Sequence, residues 1–161
     1  EFDRREKFMQ KHGTDRYSYG SECNPFCEKI FCGECGSLFT RHSWKSRGIV
    51  QWQCKNHRKD GKVACTNAYV DNANLENGFV KAFNRLVSER EKHMERWNAM
   101  KADGTPLEKI RAVQMMEATE SGQLQKYVPE AAQLVLEEIT IFGAKKYEFA
   151  FLEGSRVKVS V

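Results

Sequence analysis

Four cysteines, Cys32, Cys35, Cys54 and Cys65, fall in the pattern C-x2-C-x18-C-x10-C. The first pair sits in Cys32-Gly33-Glu34-Cys35-Gly36, a tight knuckle with a glycine after each thiol, whose backbone N–H groups are expected to point at the sulfurs. Two such half-sites facing each other suit a tetrahedral Zn2+ held by four thiolates. A site closed in this way is structural, because no coordination position is left for water or substrate. One structural Zn2+ per chain is therefore the expected cofactor, with the four cysteines as its ligands. Metal binding would supply much of the folding free energy of such a module, on the order of 10 kcal/mol in zinc-finger peptides. The first half of the pattern matches a zinc ribbon; the second departs from it, since Cys54 and Cys65 are separated by ten residues rather than two. The expectation is a zinc ribbon with an expanded second knuckle, Lys55 to Ala64. His57, three residues after Cys54, is an alternative to Cys65 as the fourth ligand. A thioredoxin-like role for Cys32 and Cys35 would need a βαβ setting, whereas this pair lies between two short apolar runs and has two companion cysteines downstream.

The residues around these ligands are basic. Positions 29–62 hold eight Lys and Arg against two acids, a net +6, while positions 71–161 hold thirteen against fourteen. A basic module joined to a near-neutral one points to a polyanion for the first and protein contacts for the second. Arg41, His42, Trp44, Lys45 and Arg47 interleave basic with polar and aromatic groups on the first ribbon strand and its turn, and Lys55, Asn56, His57, Arg58, Lys59 and Lys62 form a second basic stretch in the expanded knuckle. Lysine and arginine neutralise phosphates, and Arg, Asn and Gln read base edges in the major groove, which admits a two-stranded ribbon. The expected partner is double-stranded DNA, with Arg41, His42, Lys45, Arg47, Lys55, Arg58, Lys59 and Lys62 as candidate contacts. No acid pair, phosphate-binding glycine loop or His-rich catalytic metal motif accompanies them, so no small-molecule substrate is expected.

The elements that must position these residues follow from periodicity, and the fold class they define is α+β. Residues 1–25 are expected to form an N-terminal helix and linker. Residues 26–70 form the ribbon: a strand and knuckle from Phe26, a half-exposed strand through Ser37 to Trp44, a turn at Ser46-Arg47-Gly48, and a returning strand Ile49 to Cys54. Residues 71–142 form an antiparallel helical hairpin, a short coiled coil, and a further helix. In the first arm, Asp71 or Asn72 caps the start, and Leu75, Phe79, Phe83, Leu86, Arg90, Met94 and Trp97 make one near-heptad stripe. The second arm starts at Thr105 as N-cap, with Pro106 at the first helical position and Glu108 completing a capping box, and buries Leu107, Ile110, Val113 or Gln114, and Met116 or Met115. The further helix runs from Pro129 to Ile141 with Leu134, Leu136 and Ile139 buried. Residues 143–161 form a β-hairpin turning at Glu153-Gly154 that packs back on the domain, because an isolated hairpin is marginal in water.

Six cysteines in a secreted chain would suggest three disulfides. Positions 71–161 contain none, and metal in a reducing cytoplasm is the better fit. Cys23 and Cys27 are left over, as small partly buried side chains or as substitute ligands. No run of about 18 apolar residues is present, so no membrane is expected. The chain starts without Met and shows no catalytic core, and so reads as a fragment.

The ordered set Ile30-Phe31-Cys32-Gly33-Glu34-Cys35-Gly36-Ser37, Trp52-Gln53-Cys54-Lys55, Gly61 to Asn67, then Leu75, Phe79, Phe83 and Asn84, and finally Phe149 to Gly154, resembles the C-terminal part of large serine recombinases, the group of phage integrases and mobile-element transposases. The resemblance implies a ribbon docked in the major groove of an attachment half-site, with Cys32, Cys35, Cys54 and Cys65 as zinc ligands. It implies a bacterial or phage-encoded cytoplasmic protein whose catalytic serine lies in a separate domain, so that this stretch is not itself an enzyme. It also implies that the helical insertion contacts other recombinase subunits, with Arg90, Met94 and Trp97 as the candidate contact residues. The hairpin here is shorter than in phage integrases.

Overall fold

A computed structural model describes residues 24–59 and 61–161. The expected N-terminal helix, most of its linker and Cys23 lie outside the described residues. The chain is α+β, with two larger sheets, a small two-stranded one and four α-helices among the described residues.

The strand that ends in the first ligand, β1 (Ile30–Cys32), does not join the ribbon sheet. It pairs in parallel with β7 (Leu136–Gly143), Ile30 opposite Ile139 and Cys32 opposite Ile141. β7 continues antiparallel into β8 (Lys146–Phe151) and β9 (Arg156–Ser160), giving the order β1-β7-β8-β9. The ribbon proper is β2 (Phe39–Trp44) and β3 (Ile49–Cys54), joined through a 3-10 turn at Lys45–Arg47 and edged by β6 (Val70–Asp71). The expanded knuckle is itself a small hairpin, β4 (Arg58–Lys59) against β5 (Lys62–Val63), with Gly61 at φ +77°.

Helix α1 (Asn72–Ser88) lies on the four-stranded sheet. Its buried side, Leu75, Phe79, Ala82, Phe83 and Leu86, meets Ile30, Ile139, Phe149 and Phe151 from the sheet's inner face. Phe79 is the hub, with ring centroids 5.9 Å from Phe83 and Tyr127, 6.3 Å from Phe149 and 6.5 Å from Phe151. Gly78 permits this approach, because a Cβ there would lie 3.1 Å from the Phe149 ring. On the outer face of the same sheet Arg156 bridges Glu138 and Glu148.

The single long stripe expected from Leu75 to Trp97 is broken. α1 ends at Ser88 and α2 (Arg90–Asp103) starts after Glu89. The Ser88 hydroxyl donates to Arg85 O at 2.7 Å, a back-bond that competes with the helical ladder and bends the chain. α2 pairs with α3 (Pro106–Glu120) across a turn at Gly104. The capping box is formed as expected: Thr105 Oγ1 accepts from the Glu108 N–H at 3.3 Å, and the Thr105 N–H donates to Glu108 Oε2 at 2.7 Å. The buried side of α3 differs from expectation. Ala112, Met115 and Thr119 face inward, whereas Leu107 and Ile110 are exposed.

The helix expected over Pro129 to Ile141 is only α4 (Pro129–Val135); the rest is strand β7. A bulge between Leu136 and Glu138 explains the difference, because it shifts the strand's phase and puts Leu136 and Ile139 on one face at a helix-like spacing of three. Leu134, expected in the core, is exposed. The C-terminal hairpin is β8–β9, turning at Gly154 with φ +95°.

A candidate metal centre and the sheet beside it

Cys32 closes β1, Cys35 lies in the turn after it, Cys54 closes β3, and Cys65 lies between β5 and β6. Gly36 takes φ +72°, which lets the first knuckle turn back towards the ribbon. The sulfurs of Cys32 and Cys65 are 3.6 Å apart and those of Cys35 and Cys54 3.4 Å, and all four lie within 4.8 Å of one another. Zinc–thiolate bonds of about 2.3 Å in a tetrahedron require sulfurs about 3.8 Å apart. The donor set therefore fits one closed tetrahedral ion.

Burial raises the Cys54 thiol well above its ordinary range and pushes Cys65 up to about 11. A hydrogen bond from the Ser37 backbone N–H brings Cys35 down to about 6. The backbone N–H groups of Asn56 and Asn67 act in the same lowering sense on Cys54 and Cys65, so three ligands are each served by the residue two positions on. Four sulfurs this close cannot all be anionic alone; a divalent cation held there would take the place of their protons.

Asn67 is the functional residue that sequence reasoning missed. It is buried, and its Nδ2 donates to Cys32 Sγ at 3.1 Å and to Ile141 O at 2.8 Å. The Gly33 N–H also donates to Ile141 O, at 2.8 Å. The metal centre is thereby fastened to the sheet built from the C-terminal residues. An asparagine two residues after a ligand was the available signal, but its partner is 74 residues away.

His57 stays outside the sulfur cluster. Its ring packs against Tyr69 at 5.5 Å, and the fourth ligand position is filled by Cys65. Cys27 packs at the margin of the core, away from the cluster. Glu34 approaches it, with Oε2 accepting from the Cys65 thiol at 3.5 Å and from Thr66 Oγ1 at 3.1 Å.

The candidate DNA contacts do not gather in one patch. Lys45 and Arg47 sit at the tip of the β2–β3 hairpin, and Lys55, Arg58, Lys59 and Lys62 at the metal end. Six-residue strands separate the two groups by roughly 20 Å at about 3.3 Å per residue. His42 and Arg41 lie between them on opposite faces, since His42 pairs with Gln51 and Arg41 with the buried Trp52.

Arg90, Met94 and Trp97 are engaged inside the chain. Arg90 donates to Thr119 Oγ1 at 3.0 Å and to Met116 O at 3.3 Å, placing its charge at the C-terminal end of α3. Trp97 has no exposed surface and stacks on His93 at 5.6 Å, while Met94 packs against the core. Arg90 ties the two arms of the hairpin together, and Trp97 has no surface to offer another subunit. Arg96 makes a further tie, donating to Glu153 Oε2 at 2.5 Å and Ser155 Oγ at 2.9 Å in the β8–β9 turn.

A four-thiolate ribbon of this geometry defines a structural metal-binding module. Residues 25–84 match the family model of the recombinase zinc beta ribbon domain, so this segment is similar to a recombinase zinc ribbon. The match covers β1 to β6 and most of α1; the later helices and β7–β9 lie beyond it. No curated protein and no solved structure matches the chain. None of the described helices is long and apolar enough to cross a membrane.

Proposed function

We propose that this chain is the zinc-dependent, duplex-DNA-binding part of a site-specific serine recombinase that integrates or excises mobile DNA. The observation that carries the reading is the recombinase ribbon match on a segment whose four sulfurs are already gathered for one ion. Cys32, Cys35, Cys54 and Cys65 would hold the zinc, which would neutralise their thiolates and fix the two knuckles rather than take part in a reaction. The chain's own residues do the binding. Lys45 and Arg47 at the tip and Lys55, Arg58, Lys59 and Lys62 at the metal end would neutralise phosphates on either side of a groove, and attachment half-sites are the target the family implies. Strand exchange itself belongs to the parent protein's catalytic domain, acting on DNA in the cytoplasm.

The test is an electrophoretic shift with attachment-site duplex. Arg47→Ala and Arg58→Ala should each weaken binding and lower the log–log salt slope by about 0.9 for each phosphate no longer neutralised. Unchanged affinity in both variants would count against the reading. A second reading, a zinc-stapled module whose helical hairpin binds a partner protein, draws on Leu107 and Ile110, both more than half exposed on α3. Size-exclusion with and without DNA separates the two, since only this second reading predicts an assembly that forms without DNA and disappears in Ile110→Ser. Contact with other recombinase subunits would use this same exposed side of α3, rather than Trp97, once the subunits are brought together on DNA.

A further inference from the structure

The residues between the two groups of cations form a face of a different kind. Pairing places Thr40 opposite Gln53, His42 opposite Gln51, and Gln51 opposite Asp71, across β2, β3 and β6. The alternate residues Phe39, Trp52, Cys54 and Val70 are buried, so strand alternation turns this second row outward. None of Thr40, His42, Gln51, Gln53 or Asp71 is buried. The row is polar and holds no Lys or Arg; Arg41 lies on the opposite face, and the other candidate cations lie beyond the two ends. Toward the tip it finishes in Trp44 and Ile49, an exposed cross-strand pair.

Asp71 supplies an independent sign that the row is organised for recognition. It is the N-cap residue of α1 yet makes no capping hydrogen bond. Its Oδ1 instead accepts from Gln51 Nε2 at 2.7 Å. Capping aspartates are stabilising at helix starts, and here the carboxylate is diverted to fix the orientation of one glutamine amide. With one N–H held, Gln51 still presents its Oε1 and a second N–H. Thr40 Oγ1 and His42 Nε2 are likewise linked, at 3.2 Å.

The geometry points to a division of labour: Gln51, Gln53, His42 and Thr40 read base edges in the major groove, while the cations at the two ends hold the phosphates. This rests on the DNA-binding reading above and adds which residues set the sequence. Glutamine amides pair with adenine N6 and N7, and an apolar contact suits the thymine methyl. Three strands span two spacings of about 4.8 Å, which fits a groove about 12 Å wide. The deep, narrow major groove of A-form RNA would not admit it.

The experiment uses the full chain loaded with zinc. Sequences are selected from a random duplex pool, and affinity is then measured for a selected duplex, a shuffled duplex and an RNA duplex of the selected sequence. Gln51→Ala and Gln53→Ala should each lose about 10- to 100-fold on the selected duplex, with shuffled-duplex affinity and salt slope unchanged. Lys55→Ala should weaken both DNA duplexes alike and lower the slope by about 0.9. Asp71→Ala, which frees the Gln51 amide, should relax preference at the base pair that Gln51→Ala affects and nowhere else. The inference is overturned if the pool yields no enriched sequence, if the glutamine variants select the same sequence with the same affinity, if they weaken both duplexes equally, or if the RNA duplex binds as well. No binding to any duplex would instead overturn the DNA-binding reading itself.

Discussion

Replacing Asn67 with alanine removes two hydrogen bonds that join the metal centre to the C-terminal sheet. One runs from Nδ2 to Cys32 Sγ at 3.1 Å and the other from the same nitrogen to Ile141 O at 2.8 Å. The Ile141 carbonyl keeps the Gly33 N–H as a donor, so it is not left unsatisfied. A bond to a neutral acceptor contributes about 1 kcal/mol, and one to a charged group about 1.5–3 kcal/mol. A bound metal ion takes its cysteine ligands as thiolates, so the larger contribution belongs to the loaded protein. A neutral thiol sulfur is a weak acceptor, so the metal-free variant should lose about 1 kcal/mol, nearly all of it from the Ile141 bond, and the zinc-bound variant about 2–4 kcal/mol. At about 2–4 °C per kcal/mol for a domain of this size, the loaded form melts roughly 4–16 °C lower. The difference between the two states is a loss of about 10- to 100-fold in zinc affinity, the range known for residues that orient metal ligands. Competition with a chromophoric chelator reads the affinity, and calorimetry on both forms reads the stability. Unchanged zinc affinity, or equal destabilisation with and without metal, would refute the coupling.

Other consequences follow from the same geometry. Gly33→Ala would place a Cβ 2.6 Å from Phe142 Cδ1 and 2.9 Å from the Ile141 backbone oxygen, so β1 and β7 must part; a loss of about 1–3 kcal/mol by denaturant unfolding is expected. Arg96→Ala strips its ion-pair partner from the Glu153 carboxylate, whose side chain is fully buried. That change should destabilise by about 3 kcal/mol, and Glu153→Gln in the Arg96→Ala background should recover part of it. With metal removed, the raised thiols of Cys54 and Cys65 favour folding fully below their ordinary pKa of about 9. Stability of the metal-free chain should then fall as pH climbs through the Cys65 value of about 11, a trend absent from the zinc-bound form.

Features are legible in the sequence where their physics is local. The Thr105-Pro106-x-Glu108 cap needs only neighbours on the chain, and the two-residue alternation from Tyr147 to Val161 describes a strand pair joined by one turn. The cysteine spacing likewise states its own chemistry, because four thiols around a basic loop have few other uses. Expectation and structure part where a distant partner decides the outcome. Ile139-Thr140-Ile141 is β-branched and forms strand because β1, over a hundred positions away, supplies its parallel neighbour; the bulge at Leu136 then disguises its period. Arg90, Met94 and Trp97 have the spacing of an exposed seam, but the break at Glu89 turns α2 onto α3. The outward row of Thr40, His42, Gln51 and Gln53 depends on the register of β2 against β3, which residue type alone does not give.

Duplex binding by the full chain, measured by fluorescence anisotropy across a salt series before and after zinc is chelated and then restored, tests the central claim most directly. The account predicts affinity that falls with salt at a log–log slope of about −0.9 per neutralised phosphate, drops on chelation as the two knuckles lose the ion that fixes them, and returns with zinc. Affinity indifferent to salt, or the same binding with and without the metal, would contradict it.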